Sequence, residues 1–97
     1  MKLHGEYKVP GGKLVVVDLE LHEGRLRQVR VSGDFFLEPD TTLARIDAAL
    51  EGLAADVGAT GVTVAVAAAL EGAQSFGIDA EGVATAVLRA LETRGEA

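Results

Sequence analysis

From Lys13 onward, apolar and polar positions alternate. Val15, Val17, Leu19 and Leu21 share one side of an extended segment, and Leu14, Val16, Asp18 and Glu20 share the other. The second side begins apolar and ends charged, which predicts that something covers its first half. His22-Glu23-Gly24-Arg25 supplies a tight turn with glycine at positive φ, and Leu26 to Ser32 returns as a second strand, so the pair reads as a β-hairpin. Val29 and Val31 share a face while Leu26 falls out of phase, which predicts a bulge or register adjustment just after the turn. Arg25, Arg27 and Arg30 then read as a solvated strand face with Asp18 and Glu20 as cross-strand partners. Upstream, Gly5 to Val9 is a short extended segment that Pro10-Gly11-Gly12 breaks into a turn.

Beyond the hairpin, Val31-Ser32-Gly33-Asp34-Phe35-Phe36-Leu37 forms a corner. Adjacent side chains of an extended segment point to opposite sides, so Phe35 and Phe36 need two different environments. Glu38-Pro39-Asp40-Thr41 reads as a helix start with Asp40 or Thr41 as N-cap. Leu43, Ile46, Leu50 and Leu53 form the apolar stripe, with Arg45, Asp47 and Glu51 away from it, and the helix ends near residues 52–56. Gly58 to Gly61 reads as a loop. In residues 62–72 the alternation of Val62, Val64 and Val66 suits a strand, but length, the Val66-to-Leu70 spacing and Gly72 as a C-terminal cap predict a helix. Residues 73–77 read as a loop. Asp79 caps a last helix with Val83, Val87, Ala90 and Leu91 buried, and residues 93–97 should fray. Strands first and helices after, without β-α-β alternation, predict an α+β fold: one domain over 1–97, with a small antiparallel sheet of about three N-terminal strands covered by about three C-terminal helices.

The composition supports a packed domain. Of 97 residues 48% are hydrophobic and 25% charged, enough for one core at this length. The net charge of -6 is uneven, because residues 1–33 hold 6 basic and 4 acidic side chains while residues 34–97 hold 3 basic and 11 acidic ones. The acidic helical half argues against nucleic acid as the main ligand. No run suits a spanning helix or an export signal, so no membrane partner is expected, and a cytoplasmic location fits a chain with no Cys. Disulfides and thiolate metal sites are excluded by the same absence.

Candidate chemistry is sparse. Pro10-Gly11-Gly12-Lys13 is like the tail of a phosphate loop, but Leu14 stands where Ser or Thr would hold magnesium and a strand follows instead of a helix. Lys13 is either a solvated turn residue or a lone cation beside an anionic group. His4 and His22 belong to no close ligand pattern, so neither metal nor acid-base work is assigned to them. Ser32 lacks a nucleophile-elbow context, and Asp34 beside Gly33 reads as a turn residue.

The segment Gly5-Glu6-Tyr7-Lys8-Val9-Pro10-Gly11-Gly12-Lys13-Leu14-Val15, with Val29-Arg30-Val31-Ser32-Gly33-Asp34-Phe35-Phe36 after the hairpin, resembles the small accessory domain of lipoate-protein ligases. It is most similar to the form that occurs as a separate subunit of bipartite ligases, and Phe76-Gly77-Ile78-Asp79-Ala80-Glu81 adds to the resemblance. The resemblance implies a fold similar to iron-sulfur scaffold and sulfur-acceptor proteins, whose Cys-dependent activities this chain cannot perform. It implies a subunit with no catalytic residues, metal or cofactor of its own, needed for lipoate activation to lipoyl-adenylate. A larger catalytic subunit handles lipoate, ATP and magnesium and serves lipoyl acceptor domains. On this resemblance Gly11, Gly12 and Lys13 would face the anionic intermediate, and Ser32, Gly33, Asp34, Phe35 and Phe36 would shape the docking surface. The alternative is a stand-alone protein-binding or regulatory module on the same scaffold, its acidic half meeting a basic surface.

Overall fold

The computed structural model describes residues 1–95. Strands β1 (Lys2–Lys8), β2 (Leu14–His22) and β3 (Arg25–Gly33) form an antiparallel sheet in the order β1-β2-β3. The first strand starts at Lys2, earlier than its polar sequence suggested, because the ladder from Lys2 opposite Glu20 to Lys8 opposite Leu14 holds it in register. The β2–β3 turn has Glu23 at φ 53° and Gly24 at φ 76°, the two positive values that match the right-handed twist of a hairpin.

The bulge lies further from the turn than the pattern implied. His22, Leu21 and Glu20 pair regularly with Arg25, Leu26 and Arg27, and the register then slips between Glu20 and Asp18, where Asp18 meets Arg30. Gln28 and Val29 therefore stand opposite Leu19, and Gln28 takes φ 50°. This extra residue restores phase, so Leu26, Val29 and Val31 all turn inward.

Helix α1 (Thr42–Leu50) lies along the outer edge of β3. Its start differs from the expected side-chain cap. Thr41 occupies the cap position in helical conformation without a side-chain bond, and main-chain bonds from Thr42 N to Pro39 O and from Arg45 N to Thr41 O close the first turn instead. Ile46 and Leu50 are fully buried, while Leu53 follows Gly52 outside the helix. Asp47 and Glu51 lie away from the apolar stripe as expected, Asp47 half-buried and Glu51 exposed, yet both carboxylates are engaged by the β3 backbone. Asp47 Oδ1 accepts from Val31 N at 2.9 Å, and the two Glu51 oxygens accept from Gln28 N and Val29 N, both at 3.1 Å. Leu26 N donates to Leu53 O and Gly52 N to Leu26 O. The N–H groups that an edge strand leaves unpaired thus find partners. Burial raises the Asp47 pKa, opposed by the Val31 N–H and by Arg30, with Glu51 adding a smaller upward push.

After a short 3-10 turn (Ala55–Val57), helix α2 spans Gly58–Leu70, so the expected loop at residues 58–61 is its first turn. The helix reading of residues 62–70 holds: Val62, Val66 and Ala69 are buried and Val64 is 64% exposed, the spacing of a helix face and not of a strand. Glu71 ends it and Gly72 reverses the chain at φ 79°. Helix α3 (Ala80–Glu92) begins at Asp79, whose carboxylate accepts from Gly82 N at 2.6 Å, as the sequence predicted. Val83, Val87, Ala90 and Leu91 are buried, joined by Gly82, Ala84 and Ala86. The small residues let α3 lie close beneath β1: a methyl group on Gly5 would run into Ala86 O and the Ala90 backbone. Residues 93–95, expected to fray, form a 3-10 turn; residues 96 and 97 lie outside the described part.

All three helices pack on one side of the sheet, around Val15, Val17, Leu26, Ile46, Leu50, Val66 and Val87. Each such side chain contributes about 1.5–3 kcal/mol by leaving water. On the other side no helix of the described residues covers β2, and Leu14 and Val16 are half-buried among their strand neighbours, so the cover expected there is not a helix of the described residues. Strands β4 (Phe36–Glu38) and β5 (Gln74–Phe76) form a separate two-stranded antiparallel ribbon. Residues 73–77 are therefore not the simple loop expected. Among the described residues no helix is long and apolar enough to cross a membrane.

Candidate docking site at the glycine turn and aromatic ribbon

Glycines at Gly11 and Gly12 let β1 reverse tightly into β2. Gly11 sits at φ 70° with open space around it, and Gly12 N donates to Val9 O at 2.8 Å. Val9 N donates to Lys13 O at 3.1 Å, Lys8 Nζ to Gly12 O at 3.0 Å, and Lys13 N to Gly77 O at 3.0 Å. The turn is thereby tied to the start of α3. A side chain on Gly77 would collide with Lys13, so the Lys13 stem lies across that glycine. Among the described residues Lys13 makes no ion pair.

Gly33 pairs with Val15 where a Cβ would strike Leu14 O, and the Phe35 ring lies against it. Phe35 is half-buried on the core, whereas Phe36 is 55% exposed. The two rings have the two environments that chain geometry required. Phe36 stands opposite Phe76 in the ribbon, their centroids 6.2 Å apart, and Phe76 is 59% exposed. Gly12, Lys13, Gly33, Phe35 and Phe36 therefore gather, through Gly77 and Phe76, at one end of the molecule. Gly11 and Asp34 are exposed beside them, and Ser32 lies on the open sheet face opposite Val16. The sequence reading used Phe76 for the family resemblance but did not place it on the docking surface. Its signal was a lone aromatic in the polar stretch between Gly72 and Gly77.

The histidines lie elsewhere. His4, on the open sheet face, has Nδ1 2.6 Å from Asp18 Oδ1 and Nε2 2.7 Å from Glu6 Oε2. Both ring nitrogens can donate to carboxylates only when the ring is protonated, so the Glu6 bond first and the Asp18 bond next raise its pKa. At the hairpin, His22 Nε2 lies 3.0 Å from Glu20 Oε1, and this bond lowers the Glu20 pKa. The register does place Asp18 opposite Arg30 and Glu20 opposite Arg27, yet the carboxylates bond histidines and not arginines. Arg25 instead donates to Gly52 O. No group of three or more His, Cys, Asp or Glu among the described residues is arranged to hold a metal ion.

The molecule is an α+β domain whose one-sided helical layer leaves a glycine turn and an exposed aromatic ribbon at one end. No family model and no curated protein matches the sequence. The fold is similar to that of a chain in the solved structure of an archaeal lipoylation system, a bi-partite lipoate protein ligase and its E2 lipoyl domain from Thermoplasma acidophilum, with a TM-score of 0.75 and 23% identity over 90% of this chain and 94% of that one.

Proposed function

We propose that this chain is the accessory subunit of a two-part lipoate-protein ligase, acting with a catalytic subunit in the activation of lipoate to lipoyl-adenylate and the lipoylation of acceptor domains. The observation that carries the reading is the fold shared with a chain of a bipartite ligase structure along nearly the full length of both chains. The two motifs of the family resemblance fall on the end of the molecule that bears the glycine turn and the ribbon. In this reading lipoate, ATP and magnesium are handled by the catalytic subunit.

The role of the turn follows from its construction. Lys13 begins from a backbone held by Val9 and Gly77, so its ammonium is presented on an anchored stem toward an anionic intermediate at the partner's surface. Gly11 and Gly12 allow close approach there, while the segment from Ser32 to Phe36 forms the contact beside it. The test combines the purified chain with its candidate catalytic subunit, lipoate, ATP and an acceptor domain. Lipoyl-adenylate and lipoylated acceptor should form with both subunits present, and Lys13→Ala should slow activation more than it weakens subunit binding. Equal activation without this chain would remove the reading and leave a stand-alone binding module.

A further inference from the structure

The β4–β5 ribbon has no structural need for its outward face. Three residues per strand are too few for a two-stranded ribbon to stand alone in water, and every β5 residue is exposed. Leu37 alone turns inward to the core, on the opposite face from its neighbours. The outward face therefore presents Phe36 beside Phe76 and, one step along the pleat, Glu38 beside Gln74. Exposed aromatic rings in contact with each other are costly to leave in water and mark a surface that meets a partner.

Charge identifies what kind of partner. Residues 34–40 contain Asp34, Glu38 and Asp40 and no base, whereas Asp79 is engaged in capping α3 and the cation of this end, Lys13, lies across Gly77 on the glycine-turn side of Phe76. Asp34, Glu38 and Asp40 are exposed and make no ion pair among the described residues. A shallow groove lined by Phe36, Glu38, Pro39, Asp40 and Gln74 runs from one of the rings to this acidic rim. Apolar at one end and anionic at the other, it complements a segment carrying an apolar side chain next to Lys or Arg. A second copy of this patch would set carboxylates against carboxylates, which disfavours self-pairing.

We propose that the ribbon is a docking strip for an apolar-and-basic segment of the catalytic ligase subunit, with Phe36 and Phe76 as its anchors and Glu38 and Asp40 as its charged rim. The assignment rests on the ligase reading and adds to it Phe76, Glu38 and Asp40 together with the chemistry of the partner surface.

The experiment measures binding of the purified full-length chain to the catalytic subunit by calorimetry, for the wild type, Phe36→Ser, Phe76→Ser and the double variant Glu38→Lys with Asp40→Lys, with melting curves as a fold control. Each Phe variant should weaken binding at least tenfold while melting within a few degrees of the wild type. The charge reversal should weaken binding at low salt and lose that effect as ionic strength rises. Wild-type binding that all three variants match overturns the docking strip and leaves the ligase reading standing. No binding by the wild type overturns both. Self-association of the chain alone that Phe76→Ser abolishes, with partner binding unchanged, assigns the strip to a second copy and overturns the proposal. Should Phe36→Ser lower the melting temperature markedly, Phe76→Ser and the charge reversal decide the outcome, since neither replaces a residue on the core.

Discussion

Replacing Glu51 by Ala tests the least expected part of the packing. Its carboxylate accepts from two successive N–H groups at the β3 bulge, Gln28 and Val29, each at 3.1 Å. Val29 is buried, so water cannot fully replace the lost acceptor, and a hydrogen bond to a charged group of this kind contributes about 1.5–3 kcal/mol. The Gln28 N–H is exposed and adds less than about 1 kcal/mol, because water takes over. The substitution should therefore cost about 2–3 kcal/mol, a sizeable share of the total stability of a small domain. At about 4–8 °C per kcal/mol the melting temperature should fall by about 10–20 °C. Glu51→Gln keeps one carbonyl oxygen for Val29 and should fall about midway. Urea unfolding followed by circular dichroism measures the cost, and amide exchange at Val29 localises it. If Glu51→Ala unfolds within about 0.5 kcal/mol of the wild type, or Val29 exchanges no faster, the carboxylate does not hold the bulge and the argument fails.

Two further perturbations probe other contacts. Gly5→Ala sets a methyl group against Ala86 O and the Ala90 backbone, and forcing β1 away from α3 should cost about 3 kcal/mol, read as a lowered urea midpoint at unchanged m-value. His4 has a folded pKa raised above its ordinary value of about 6.5, so its stabilising effect is complete below that value and is lost as pH rises through the folded one. The melting temperature of the wild type relative to His4→Gln should accordingly decline as pH rises above 6.5; a constant difference, or a ring titrating at or below 6.5 by NMR, would contradict the clamp.

Local signals made much of the fold legible. The Glu23-Gly24 turn, the alternation of β2, the Asp79 cap and the stripe of α3 all follow from residues within a few positions of one another. What was illegible depends on distant partners. The strand pairing of Phe36–Glu38 with Gln74–Phe76 joins segments separated by two helices, and three residues carry too little pattern to announce it. That Asp47 and Glu51 hold a strand edge was not legible, because helical periodicity separates apolar from polar faces without saying that a strand edge lies beside the polar one. The same limit applies at the candidate site. The corner at Phe35 and Phe36 was visible in sequence, and its other half, Phe76, became visible only when the chain was folded.

The carboxylates along β3 also set a limit on growth. A sheet with two open margins can recruit copies in series, as fibres do. Here Leu26, Gln28, Val29 and Val31 already have main-chain or side-chain partners on the side away from β2. Among the described residues the β3 margin is therefore closed at these positions, which leaves the β1 side of the three-stranded sheet for edge-to-edge pairing. By occupying the bulge N–H groups Glu51 keeps the β3 margin closed, and the variants that open the bulge are those in which fibre formation should be sought first.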